Sequence, residues 1–353
     1  MVRGMILEFP MGTGLVSMTG VLFGKVTIIG LGLLGGSIAL GLRRFGLAGE
    51  VAAYVRDQDG VKGCERFGLA DYATVDLLAA VSRADLVILA TPVLSMAGLA
   101  GKMAPALKTG ALVTDVGSVK KPVLSKVGPI VQSSGGFFVG SHPMAGSEKT
   151  GPSAARSDLL SGAVCVVTPS YRTPRRVLNA VRGLWEGLGC RVVEMEAGRH
   201  DAVVARTSHL PHVAASALAG LVLGRERRNS HERGRLCATG FRDTTRVASG
   251  SPELWRDILL ANNAEVDRAL GEYVAELERF RKLVRAANGA KLEKQLLLAR
   301  NQRDAWLEDT RLALDAARLG KKRRRAALVQ GTVQMPGSVR RGRAKGAAGS
   351  PKP

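Results

Sequence analysis

His142 is one of five histidines in 353 residues, and it stands in the segment GSHPMAGSEKTG (140–151), directly after the short apolar run Phe137–Val139. That run reads as a strand and Gly140-Ser141 as a turn, which puts His142 in a loop at the carboxyl end of a strand, where open α/β sheets bind ligands. Pro143 biases the residue before it towards an extended backbone. An unperturbed imidazole titrates near pH ~6.5, so it can take a proton from a hydroxyl at neutral pH. Upstream, DVGSVK (115–120) brings Asp115, Ser118 and Lys120 to the end of another strand-like run. Ser118 either hydrogen-bonds a substrate hydroxyl or caps the helix that follows. Lys120 either meets a phosphate or lies on a solvated surface.

These groups need a frame, and the glycines supply it. The β-branched run KVTIIG (25–30) leads into GLGLLGGSIALGLRRFG, with Gly30, Gly32 and Gly35 in the spacing GxGxxG between strand and helix. Gly30 permits the tight turn, Gly32 lets backbone approach a pyrophosphate, and Gly35 lets helix and strand pack closely. Free amides at the helix start, at Leu33 and Leu34, then face the phosphates. The next strand, EVAAYV (50–55), ends in Arg56-Asp57. An acidic residue here binds the ribose hydroxyls of NAD, whereas an arginine suits a 2′-phosphate, so NAD and NADP both remain open. LVILA (86–90) runs into Thr91-Pro92, a loop placed to cover the cofactor, and ALVTD (111–115) delivers Asp115 to the same edge.

GAVCVVT (162–168) and Arg191–Met195 read as the last strands. From about Ala197 the pattern turns to long helical stretches, which predicts a separate all-α unit. It opens with His209 and His212, three apart on one helix face with Pro211 between them. No HExxH or neighbouring cysteine completes a metal site, so substrate contact or packing is expected and no metal. Farther on, GFRDTTRVASGSPELWRDI (240–258) holds Arg242, Arg246, Trp255 and Arg256, with Ser251-Pro252 as a helix start. The planar guanidinium binds carboxylates through two parallel hydrogen bonds.

The expected organisation is an N-terminal extension (1–23, with Met18 as an alternative start), a Rossmann-type nucleotide-binding domain (24–196), a helical domain (197–320) and a basic, disordered tail (321–353). The net charge is +21; the tail holds ten Lys or Arg and no acid, which leaves +11 on residues 1–320. That excess favours an anionic ligand. The tail either touches nucleic acid or an anionic surface or is a solvated appendage, and no reader motif supports a nucleic-acid partner. The four cysteines show no redox or metal spacing, which fits a reduced, cytoplasmic compartment. No apolar run approaches the ~20 residues that cross a bilayer, and residues 1–17 lack a signal pattern.

In order along the chain, GLGLLGGS (30–37), ATP (90–92), DVGSVK (115–120), GSHPMAGSEKTG (140–151), HD...SHLPH (200–212) and GFRDTTRVASGSPELWRDI (240–258) resemble the prephenate/arogenate dehydrogenases of tyrosine biosynthesis. The resemblance covers roughly residues 24–285. It implies a Rossmann domain followed by a helical domain that forms a homodimer, and oxidative decarboxylation of prephenate, or of arogenate, with NAD or NADP. It further implies that His142 hydrogen-bonds the ring 4-hydroxyl with Ser118 as its partner, that Arg246 binds the ring carboxylate, and that His209, His212 and Trp255 line the substrate. Gly30, Gly32, Leu33, Leu34, Gly35, Arg56, Thr91, Pro92 and Asp115 would hold the cofactor. Another hydroxy-acid dehydrogenase of Rossmann type is disfavoured, because those families place a catalytic lysine in the helical region.

Overall fold

The computed structural model describes residues 20–146, 150–224 and 227–331. Most of the N-terminal extension, Ser147 to Lys149 of the His142 segment and residues 332–353 of the tail lie outside them.

Eight strands form one sheet: β1 (Phe23–Ile29), β2 (Ala48–Tyr54), β3 (Tyr72–Thr74), β4 (Leu86–Leu89), β5 (Leu112–Asp115), β6 (Phe137–Pro143), β7 (Val164–Thr168) and β8 (Arg191–Glu194), in the order β3-β2-β1-β4-β5-β6-β7-β8. Every pairing is parallel except β6 with β7. β4 and β5 are buried at every position, as strands covered on both faces must be, and this is why their sequences run apolar rather than alternating. Two apolar clusters lie on the two sides, one around Ile28, Ile38 and Trp185, the other around Leu89, Met96 and Val127. The chain leaves β1 towards β2 and β3 and returns to the opposite side at β4. The carboxyl ends of β1 and β4 therefore border the crevice at which such sheets bind ligands.

The glycine motif joins β1 to the helix Leu33–Arg44 as expected. Two expectations need correction, and one strand, β3, has no counterpart in the expected pattern. The segment from Gly140 is not a loop: β6 pairs with β5 through Val139, and Gly140 to Pro143 then pair antiparallel with β7, so His142 lies on a strand. A Cβ on Gly140 would come within 2.5 Å of Thr168 Oγ1, so the residue that reads as a turn signal instead permits this close approach. The short β3 carries too few residues to register as a pattern. The tail is helical at its start, because one helix runs from Gly289 to Gly331. Residues 321–331 are mostly Lys, Arg, Ala and Leu, good helix formers that continue a helix already begun.

After β8 the described elements are helical. The helix Ala197–Val204 passes through a π turn, Ala205–His209, into the helix Leu210–Leu223. Then come Thr239–Thr245, a 3-10 turn at Arg246–Ser249, Pro252–Ala261 and the long helix Asn263–Arg285. Residues up to Tyr273, with the sheet and the helices through Pro252–Ala261, form one compact unit, and residues from Val274 form a second.

Candidate active site

Two sites meet at the carboxyl edge of the sheet. The first is the glycine turn. Gly30 has φ +98, and a Cβ there would lie 2.8 Å from Ala90 O and 2.9 Å from Thr91 Cγ2, so β4 and the Thr91-Pro92 loop close directly over the turn. A Cβ on Gly35 would sit 1.9 Å from Gly30 O, which makes glycine obligatory for the crossing of helix and strand. Gly32 differs: a Cβ there meets nothing within 4 Å. The protein itself does not exclude a side chain at Gly32, whereas a bound pyrophosphate would. The helix that follows has no side-chain cap and no acid in its first turn, so the amides of Leu33 and Leu34 stay open to an anion. These features fit a dinucleotide. At the end of β2, Arg56 is almost fully exposed, 3.8 Å from Asp57 Oδ2, while Asp57 caps the next helix through Gly60 N.

The second site is built on β6. Ser141 is held inward, its hydroxyl 2.8 Å from Thr114 Oγ1 and accepting the indole N–H of Trp185 at 2.9 Å. Alternation along the strand sends His142 to the opposite face. It is 8% exposed, and its Nδ1 lies 2.9 Å from His200 Nε2 in an edge-on ring contact. His200 Nδ1 is in turn 2.8 Å from Asp201 Oδ1. Burial above all holds His142 well below its ordinary imidazole range, with the Lys120 cation, His200 and His209 adding to the effect. The ring is therefore neutral near pH 7, the state in which it can accept a proton.

Asp201 also accepts the backbone N–H of Lys120 at 2.7 Å and of Lys121 at 2.9 Å. It thereby caps the helix Lys121–Ser133, which has no cap of its own. Ser118, read as either such a cap or a substrate contact, makes no hydrogen bond among the described residues; it is half-buried in the turn between β5 and this helix. Lys120, expected at a phosphate or on the surface, is wholly buried. Its ammonium pairs with Asp115 and donates to Ser141 O at 2.8 Å. Burial pushes the Lys120 ammonium down, and Asp115 opposes that shift. Asp115 was expected to contact the cofactor. Its carboxylate instead faces inward, accepting Gly117 N at 2.8 Å and Ser141 N at 3.1 Å besides the lysine, so it orders the β5 turn and the start of the His142 segment.

From Asp201 the contacts continue into the helices. Asn262 Nδ2 donates to Asp201 O at 2.9 Å and lies 3.2 Å from His209 Nδ1. Trp255 stacks on His212 at 3.6 Å between centroids and meets His209 edge-on at 6.1 Å. Among the described residues, the buried side-chain nitrogens without a partner are His209 Nε2 and His212 Nδ1. Gly250 packs against Trp255 and His212 and closes the turn that carries Arg246. Arg246 and Arg242 border a cavity of about 450 Å³ with Cys237, Ala238, Phe241, Thr245 and Ser249. The motif HD...SHLPH includes His200 and Asp201, but sequence reasoning gives neither of them, nor Asn262, a role in the site. A His-Asp pair early in a helix was the visible signal, but nothing local ties it to a strand 58 residues earlier.

Comparison with known proteins gives two family matches, described as the nucleotide-binding domain of prephenate dehydrogenase, over residues 38–194, and its dimerization domain, over 196–298. The cyclohexadienyl dehydrogenase of Zymomonas mobilis is 37% identical over 267 residues, which cover 76% of this chain and 90% of that protein. The prephenate dehydrogenase of Bacillus subtilis is 32% identical over 280 residues, covering 79% and 75%. Among solved structures, prephenate dehydrogenase from Aquifex aeolicus, in complex with hydroxyphenyl propionate and NAD+, matches with a TM-score of 0.74 at 31% identity, covering 79% of this chain and 97% of that one.

Proposed function

Because the chain belongs to the prephenate dehydrogenase family, we propose that it decarboxylates prephenate oxidatively to 4-hydroxyphenylpyruvate with NAD+ or NADP+. The observation that carries the reading is His142: a buried, neutral imidazole on β6 of the sheet whose β1 leads into the glycine turn. When bound, the oxidised nicotinamide supplies the hydride acceptor. Gly30, Gly32, Gly35 and the amides of Leu33 and Leu34 would hold its pyrophosphate, with Thr91 and Pro92 over it and Arg56 beside the ribose.

His142 accepts the hydrogen bond of the ring 4-hydroxyl and, as the hydride leaves the carbon bearing it, draws the proton towards its ring. The proton returns to the oxygen as carbon dioxide departs and the ring becomes a phenol. Aromatisation drives the step, so the protein supplies orientation, one base and a clamp for a dianion. Ser118 is the proposed partner of His142 at the hydroxyl, and Arg246 the clamp on the ring carboxylate. The unpaired nitrogens of His209, edge-on to Trp255, and of His212, stacked on it, support their place along the substrate.

Arogenate is the second substrate to test, since it differs only by an amino group in place of the side-chain keto group and one relative is named a cyclohexadienyl dehydrogenase. The assay is purified protein with each substrate and each cofactor, followed by absorbance of the reduced nicotinamide; no turnover of either substrate refutes the reading.

We take residues 24–196 as the nucleotide domain and 197–320 as the helical one, joined as a homodimer through the latter. Support comes from the dimerization-domain match and from exposed Val274, Leu277 and Val284 on one long helix. Light scattering at micromolar concentration tests it. No helix among the described residues is long and apolar enough to cross a membrane, and a cytoplasmic location is proposed.

A further inference from the structure

We propose that His200 and Asp201 are positioning residues that fix the tautomer of His142, leaving the lone pair on its outward nitrogen, Nε2. The inference rests on the role given to His142 above and extends it to residues that touch neither substrate nor cofactor in that reading.

The argument runs along hydrogen bonds. Both carboxylate oxygens of Asp201 already accept a backbone N–H, from Lys120 on Oδ1 and from Lys121 on Oδ2. Two donors on fixed backbone orient the carboxylate as an acceptor, so His200 Nδ1, at 2.8 Å, must carry the hydrogen and donate it. With one proton on each ring, His200 Nε2 then holds a lone pair. His142 Nδ1 lies 2.9 Å from that lone pair and therefore donates to it. This places the second lone pair of the array on His142 Nε2, the nitrogen not engaged by His200.

Burial makes the array strict. His200 and Asp201 are 1% and 2% exposed, so water does not offer the His200 ring or the carboxylate an alternative partner. As His142 gains positive charge in the reaction, its Nδ1–H donates more strongly to His200 and the Asp201 carboxylate stabilises the array through the intervening ring. Lys120 lies near enough to disfavour that charge, and Asp201 opposes it. Aspartate in serine hydrolases sets an imidazole tautomer by the same logic, with one ring rather than two between carboxylate and substrate.

The test is 15N NMR of histidine-labelled enzyme without substrate, which distinguishes protonated from unprotonated ring nitrogens whatever the reaction. In the wild type, His142 Nε2 and His200 Nε2 are expected unprotonated; a protonated His142 Nε2 overturns the proposal without any variant. In Asp201→Leu, a side chain of similar size with no acceptor, His200 Nδ1 has nothing to donate to, the tautomers of the two rings are no longer fixed and a protonated His142 Nε2 appears. The kcat is then expected to fall by roughly 100-fold or more, as wrong-tautomer variants of catalytic histidines do, with KM and nucleotide affinity within about threefold. His200→Gln keeps an acceptor for His142 Nδ1 and should retain more of kcat than Asp201→Leu. Unchanged tautomers in a folded Asp201→Leu overturn the proposal. Altered tautomers with full activity uphold it and instead remove His142 from its role as base.

Discussion

Lys120 and Asp115 form an ion pair in which both side chains are wholly buried, and the lysine also donates to the Ser141 carbonyl one residue before His142. Removing one partner of such a pair leaves an uncompensated charge in the interior, at a cost on the order of 3–5 kcal/mol. Lys120→Met is expected to lower unfolding stability by that amount in a denaturant titration; a change below about 1 kcal/mol would show that Asp115 finds solvent or another donor.

His142→Asn removes the proposed base while keeping a small polar side chain. The expected outcome is a kcat at least about 100-fold lower with the nucleotide dissociation constant unchanged, read by steady-state kinetics and fluorescence titration. Near-normal turnover refutes the assignment.

Arg246→Ala tests the clamp. Loss of a charge-assisted contact worth roughly 1.5–3 kcal/mol raises KM for prephenate by about 10- to 100-fold. An unchanged KM places the ring carboxylate elsewhere.

Two glycines separate folding from binding. Gly35→Ala forces a Cβ to 1.9 Å from the Gly30 carbonyl, so it should lower both the melting temperature and nucleotide affinity. Gly32→Ala meets nothing in the protein and should keep the melting temperature while weakening nucleotide binding by roughly tenfold or more. Equal effects from both would mean that Gly32 is needed by the fold rather than by the ligand.

Acid sensitivity follows from the buried imidazoles. His142 and His212 are lowered by burial, and His209 is pushed down to about 4, burial again leading. The unfolded chain takes up these protons near pH ~6.5 and the folded chain only at lower pH, so the stabilisation is complete above ~6.5 and is lost as pH falls towards the folded values. Glu196 and Glu272, lowered from 4.5, begin to lose theirs only below that value. Melting temperature should therefore decline already between about pH 6.5 and 5, and kcat/KM should hold to below pH ~6.5 before its acid limb. A melting temperature flat across that interval would show that the imidazoles are charged or solvated.

Much of this molecule is legible locally. The glycine turn, the apolar strands and His142 announce themselves because their causes lie within a few residues: a required φ, burial on both faces, a histidine at a strand end. What stays hidden depends on distant partners. Lys120 looks like a surface lysine until Asp115 and the β6 carbonyl enclose it, and Gly140 to Pro143 read as loop until β7 supplies an antiparallel neighbour. The His200-Asp201 pair has meaning only where its helix meets β6 and the start of the helix Lys121–Ser133.

The cap that Asp201 places on Lys120 and Lys121 also limits how the crevice can open. Parting these groups would expose two amides, a carboxylate and two imidazoles together, whereas the turn bearing Arg246 is largely solvent-exposed already. Opening for ligand exchange is least costly as a swing about Asp201 as pivot, with the arginine side travelling farthest and the imidazole side staying shut.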